Sequence, residues 1–256
     1  TLRADLDRAG EPAALSATTL AARLATTLAA PADQHAGAVA VTQDEGIRKD
    51  PVDLDLPPWQ RGRYGTAIGR AVHAVLQFAD LRTGANIADL AAAQAAAEGV
   101  LGHERTIERL ARSALQAPIV AEGIAGQHWR ELFVDTTLHG SSASVGTSDD
   151  NTAADDAPAT VVEGYIDLLV RHPTRGLVVV DYKTDQVAAG PERAQRLTRY
   201  ATQLAAYGLA LEQLLREPIA GGVLVMCRTG GAAEQVEIDD WAALCAALRT
   251  RLLAGT

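Results

Sequence analysis

The chain is 256 residues long, 48% hydrophobic and 21% charged, with a formal net charge of −9. That length can bury a real core in one domain, or one domain plus an appendage. The acidic balance excludes a polycation that wraps nucleic acid with its whole surface, although a local arginine patch or a bound cation can still bring phosphate to an acidic protein. Cys227 and Cys245 are the only cysteines, too few for a disulfide framework or for four thiolates around zinc or iron–sulfur, and both read as core residues. The expected compartment is therefore the reducing cytoplasm. No apolar run approaches the roughly 20 residues that span a bilayer, and the first residues lack the character of a secretory signal. Without an initiator Met, the chain reads as an excised piece of a longer protein rather than a processed product.

From Ser16, Leu20, Leu24 and Leu28 recur every four residues, which predicts one capped helix ending near Pro31. Residues 31–59 carry little periodicity and contain Pro51, Pro57 and Pro58, and read as an extended connector. Residues 1–58 are thus expected to form an N-terminal helix and connector, and 59–256 the main domain. A helix from about Thr66 buries Ile68, Val72, Val75 and Leu76, with His73 at the edge of that stripe. A lone histidine there is more often a core or surface residue than a ligand. Residues 86–115 read as one or two Ala-rich scaffold helices, broken near Gly99 and Gly102. Residues 129–138 read as a strand with Glu131, Phe133 and Asp135 on one face. Glu131 is either a solvated carboxylate or part of an acidic site.

Residues 140–160 are low in complexity, with four aspartates and no large apolar side chain but Val145. Such a segment buries too little surface to repay its ordering, and a flexible loop at a hairpin tip is expected. Its aspartates do not have the spacing of a calcium loop.

The chemistry concentrates in residues 161–183. Two β-branched runs, VVEGYIDLLV and LVVVDYKTD, flank a Pro- and Gly-bearing turn, which predicts a hairpin. With its centre near Thr174, Asp167 and Asp181 stand opposite one another, and Lys183 shares their face. Facing carboxylates repel unless a cation lies between them, and a divalent metal with a nearby lysine suits phosphodiester cleavage. A helix over 191–215 follows, with Pro191 in its first turn. Tyr200, Gln203 and Tyr207 share one of its faces, and Arg193, Arg196 and Arg199 form a basic edge. A buried strand (219–227), a partner strand (232–239) and a closing helix (240–253) complete a mixed sheet flanked by helices, an α/β fold.

The stretches GRAVHAVLQ, WRELFV, EGYIDLLV, VVVDYKTDQ and RYATQLAAYGLAL, in this order, resemble the PD-(D/E)XK nuclease core. More narrowly they resemble its RecB-like branch, found at the C-terminal end of UvrD- and AddA-type helicase-nucleases. The opening LSATTLAARL is similar to the segment that often begins such domains. The resemblance implies a restriction-endonuclease-like fold and a metal-dependent deoxyribonuclease, acting on single-stranded DNA delivered by a helicase during double-strand break repair and recombination. It implies that His73, Asp167, Asp181 and the Tyr182 carbonyl bind Mg²⁺ or Mn²⁺, the imidazole tilting the choice towards Mn²⁺. Lys183 would orient or deprotonate water, while Gln203 and Tyr207 support the site. Glu131 matches an accessory acidic position. Arg70, Arg193, Arg196 and Arg199, with Arg61 and Arg63, would steer phosphates. The chain cannot supply the four cysteines with which some members hold an iron–sulfur cluster, so none is expected. It carries no GxxxxGK[ST] phosphate loop, so a helicase motor would lie in a longer chain or in a partner. The rival readings are an inactive DNA-binding or helicase-docking module of the same fold, and an unrelated α/β protein whose DYKTD is an exposed strand end.

Overall fold

The computed structural model describes residues 15–16, 66–139, 159–185 and 188–253. The expected helix after Ser16, the connector, Arg61, Arg63 and nearly all of the 140–160 loop lie outside them. Twelve elements follow in order: β1 (Leu15–Ser16), α1 (Ala67–Phe78), α2 (Ile87–Ala97), α3 (Glu104–Leu115), α4 (Pro118–Gly123), β2 (His128–His139), β3 (Ala159–His172), β4 (Gly176–Lys183), α5 (Pro191–Leu215), β5 (Ile219–Met226), β6 (Glu234–Glu237) and α6 (Trp241–Leu253).

Local chemistry sets most boundaries. Thr66 caps α1, its hydroxyl oxygen accepting the Gly69 N–H at 3.0 Å. Gly99 (φ +69°) and Gly102 (φ +90°) end α2 and turn the chain into α3 in left-handed backbone that glycine adopts without strain. Two elements were not expected: the six-residue α4, too short to show a period, and β1, which places Ser16 in a strand. β3 starts at Ala159, two residues before the predicted run.

The sheet is mixed. β3 pairs antiparallel with β2 along one edge, from His128↔Val170 to His139↔Ala159. Its other edge is shared by β1, parallel at Val162 and Glu163, and by β4, antiparallel from Leu168↔Val180 to His172↔Gly176. β5 then pairs parallel with β4, and β6 antiparallel with β5. Each face of the sheet carries an apolar core beneath helices. One core joins α1 to α4 with Leu168, Val170, Val178, Val180, Tyr182, Val223 and Val225. The other joins α5 and α6 with Val134, Val162, Ile166, Leu169, Val179 and Leu224. This sandwich is the α/β architecture that the order of elements implies. Cys227 lies in the first core and Cys245 in the second.

One irregularity positions the site. Ile166 and Leu168 are two residues apart on β3, and regular alternation would put them on one face. They belong to opposite cores, so the alternation breaks between them. Directly across on β2, Glu131 has φ +49°, a left-handed conformation rare for a side chain of its kind, and the ladder skips from Arg130↔Leu168 to Leu132↔Ile166. The sheet is thus distorted at the level of Glu131 and Asp167, where the β3–β4 ladder also ends.

Candidate active site

Every β3–β4 pair is equidistant from Thr174, so one further step along that register brings Asp167 level with Asp181. The ladder stops before that step, and the Asp167 side chain fills the opening. Its Oδ2 accepts the Tyr182 backbone N–H at 2.7 Å, while His73 Nδ1, on α1, lies 3.1 Å from its Oδ1. His73 and Asp167 are both buried. Glu131, half-buried on β2, completes a group of three whose ligand atoms all lie within 4.8 Å of one another. That is close to the roughly 4 Å separating opposite ligands on one small divalent cation. Two carboxylates and one imidazole fit Mg²⁺ or Mn²⁺, with the nitrogen favouring Mn²⁺.

Asp181 and Lys183 form a second, adjoining group. Alternation turns both away from Val180 and Tyr182, towards α5. Lys183 Nζ lies 2.7 Å from Asp181 Oδ2, in ionic contact rather than hydrogen-bond alignment. Nζ also reaches Gln203 Oε1 at 3.4 Å and stands 4.4 Å above the Tyr200 ring centroid. The Tyr200 hydroxyl donates to Asp185, which Arg196 also approaches at 3.5 Å. Of the expected cluster, Asp167 contacts His73 of α1 while Lys183, in contact with Asp181, reaches Gln203 of α5, and the three charges act on one another. Glu131 takes the third place beside His73 and Asp167, and Asp181 is held by Lys183. Tyr207 is buried on α5 against β3, where a Cβ at Gly164 would lie 2.3 Å from its hydroxyl oxygen.

The two groups act on each other electrostatically. Burial raises the Asp181 pKa to about 6 and Asp167 adds to the rise, against the opposing pull of Lys183. Burial also works to raise Asp167, but His73, Lys183 and the Tyr182 N–H outweigh it and hold the carboxyl below its usual value. Burial works to lower both His73 and Lys183, yet the facing carboxylates keep each above its ordinary value. The site is a dense, buried set of opposed charges, as expected where chemistry rather than stability selects the residues.

The expected basic edge is different in character. Arg70 is buried in the helical layer and bonded to Glu98 at 2.8 Å. Arg193 pairs with Glu234, and Arg196 with Glu192 at 2.8 Å. Arg199 is exposed, its guanidinium carbon 6.0 Å from the Tyr200 ring centroid. Tyr200 is the participant the sequence reading left out of the site. Its spacing from Gln203 and Tyr207 was the available signal.

A profile of the PD-(D/E)XK nuclease superfamily matches residues 42–255. The chain belongs to that superfamily. Among curated proteins it is 32% identical over 178 residues to an ATP-dependent helicase/nuclease subunit from Desulforudis audaxviator (strain MP104C), over 67% of this chain and 14% of that protein. The corresponding helicase/nuclease protein of Desulfitobacterium hafniense (strain DSM 10664 / DCB-2) is 43% identical over 61 residues, 23% of this chain and 4% of its own length. The chain thus spans a small part of the curated relatives it matches. The solved structure "Crystal structure of SSO0001" covers 60% of this chain and 69% of its own at 17% identity, with a TM-score of 0.29, too loose to add to the assignment. Among the described residues, no helix is long and apolar enough to cross a membrane.

Proposed function

We propose that this PD-(D/E)XK domain hydrolyses phosphodiester bonds in DNA with the help of Mg²⁺ or Mn²⁺. The reading rests on one observation: His73, Glu131 and Asp167 converge where the β3–β4 ladder ends, beside the Asp181–Lys183 pair. His73, Glu131 and Asp167 would hold the cation, with Asp181 and the Tyr182 carbonyl adjoining it. When bound, a divalent cation offsets phosphate charge and lowers the pKa of coordinated water.

The chain's own residues supply the rest. Lys183 stays cationic between Asp181 and Asp167, so it orients an attacking water and offsets negative charge developing on the phosphate. Gln203 and the Tyr200 ring hold its ammonium in place. Tyr207 wedges against Gly164 and fixes α5 to the strand that carries Asp167. Asp181 sets the position of Lys183 and adds to the anionic centre.

The substrate is proposed to be single-stranded DNA, delivered by a helicase motor in a longer chain or in a partner protein, within double-strand break repair and recombination. The names of the curated relatives, helicase/nuclease subunits, support the association with a helicase motor. Cleavage of labelled single- and double-stranded DNA in Mg²⁺ or Mn²⁺, before and after EDTA, tests the reading. Cleavage that EDTA stops and that Lys183→Ala or Asp167→Asn abolishes supports it. DNA binding without cleavage under every metal condition favours the inactive module instead.

A further inference from the structure

The three proposed cation ligands come from three elements: His73 from α1, Glu131 from β2 and Asp167 from β3. The ladder between β2 and β3 fixes the two strands relative to one another. α1 is different. It rests on the sheet through Val72, Val75 and Leu76, and apolar contacts of that kind carry no direction. A metal site needs its ligands held to within about 0.5 Å, so a directional tie between α1 and the strands is called for.

Arg130 supplies one. Its Nη1 donates to the Leu76 carbonyl at 3.3 Å and to the Ala79 carbonyl at 2.7 Å. These oxygens belong to the C-terminal end of α1, where carbonyls lack partners within the helix and the helix dipole favours a cation. α1 has no basic residue in its own last turn, so a guanidinium from β2 takes that place. Leu76 follows His73 by three residues, about 4.5 Å along the axis, and the tie therefore grips the part of α1 that carries the ligand.

The left-handed Glu131 explains how one stretch of β2 does both tasks. Successive side chains of a regular strand point to opposite faces, so neighbours do not reach the same helix. Here Arg130 bonds the end of α1, and the next residue, Glu131, places a carboxylate oxygen within 4.8 Å of a His73 ring nitrogen. The φ of +49° at Glu131 breaks the alternation between them. Backbone strain of this kind persists where neighbouring contacts over-determine it, and the two Arg130 bonds lie one residue away.

We propose that Arg130 is a positioning residue, which ties α1 to β2 and so sets the reach between His73 and Glu131 for a divalent cation. The inference rests on the metal-site reading. It concerns the spacing of the ligands, and Arg130 itself touches neither cation nor substrate.

The test is made on the chain without DNA. Mn²⁺ titration followed by electron paramagnetic resonance gives affinity, and nitrogen modulation of the spin echo shows whether His73 is on the bound ion. Arg130→Ala and Arg130→Met, which keeps the apolar stem, should each weaken Mn²⁺ binding about tenfold, the cost of losing an outer-shell hydrogen bond, and reduce the nitrogen modulation. Arg130→Lys keeps the charge and a donor and should restore most of both. Arg130 is exposed, so these variants leave the core intact. Asn86→Ala is the control for a merely structural role. Asn86 also caps the end of α1, its Nδ2 donating to the Phe78 carbonyl at 3.3 Å, but it precedes α2 and does not join β2. It should lower Tm while binding Mn²⁺ as wild type does, with full nitrogen modulation. Wild-type affinity and modulation in both Arg130→Ala and Arg130→Met overturn the positioning role alone. So does an Asn86→Ala variant that loses as much Mn²⁺ affinity as they do. If the wild-type chain binds no Mn²⁺, the metal-site reading falls and this inference with it.

Discussion

Replacing Gly164 with alanine tests how tightly the α5 motif is locked to the strand bearing Asp167. The new Cβ would lie 2.3 Å from the Tyr207 hydroxyl oxygen and 3.0 Å from its Cε1 and Cζ. Ordinary contacts between such atoms are well over 3 Å, so the ring must retreat by roughly an ångström. Tyr207 is buried among Leu204, Leu211 and Ile166, and that core has little room to yield. Overpacking of this kind costs about 2 kcal/mol, which for a chain of this size lowers Tm by about 4–8 °C. Urea titrations of the single variants, Tyr207→Phe and the double variant give the coupling. Removing the hydroxyl eliminates the 2.3 Å clash and leaves the milder 3.0 Å contacts, so the double variant should recover about 1 kcal/mol. If Gly164→Ala costs less than about 0.5 kcal/mol, or if Tyr207→Phe recovers nothing, Tyr207 does not sit against β3 as described.

Two further predictions concern the second group. Tyr200→Leu removes the ring beneath the Lys183 ammonium, a partly desolvated cation–π contact of about 1–2 kcal/mol, and single-turnover cleavage should slow about tenfold; Tyr200→Phe keeps the ring and should stay within about threefold of wild type. Equal rates in the two variants would show that the hydroxyl's bond to Asp185, not the ring, matters. The second prediction follows from Asp181. Its folded pKa is raised from 3.8 to about 6, so the folded state binds this proton more tightly than the unfolded chain does. In metal-free protein its contribution must therefore fall as pH rises from about 4 through about 6, by on the order of 2–3 kcal/mol, and then level off. Asp181→Asn should remove that fall from the stability–pH curve measured by urea unfolding in EDTA. A variant with the same slope as wild type would contradict the burial of Asp181.

Much of the fold was legible because the hairpin announces itself. Two β-branched runs about a Pro- and Gly-bearing turn set a register centred on Thr174, and the observed ladder has that centre. The long α5 was equally clear, from Pro191 and its spacing of Tyr200, Gln203 and Tyr207. Less visible was the change of face between Ile166 and Leu168. It depends on a left-handed Glu131 in the neighbouring strand, and periodicity within one strand carries no such information. The arginines' intramolecular partners were not legible either: Glu98 for Arg70 and Glu234 for Arg193 lie 28 and 41 residues away and meet them only in the folded chain. α4 and β1 are too short to show any period.

His73, Glu131 and Asp167 are proposed to hold one divalent cation. Mn²⁺ titration followed by the loss of the free-ion electron paramagnetic resonance signal measures it directly on the chain, without DNA. Wild type and Asp135→Asn, an exposed carboxylate outside the group, should bind Mn²⁺ alike. Asp167→Asn should weaken binding by at least about a hundredfold, more than the loss of an outer hydrogen bond costs. Mn²⁺ bound as tightly by Asp167→Asn as by wild type would contradict the account.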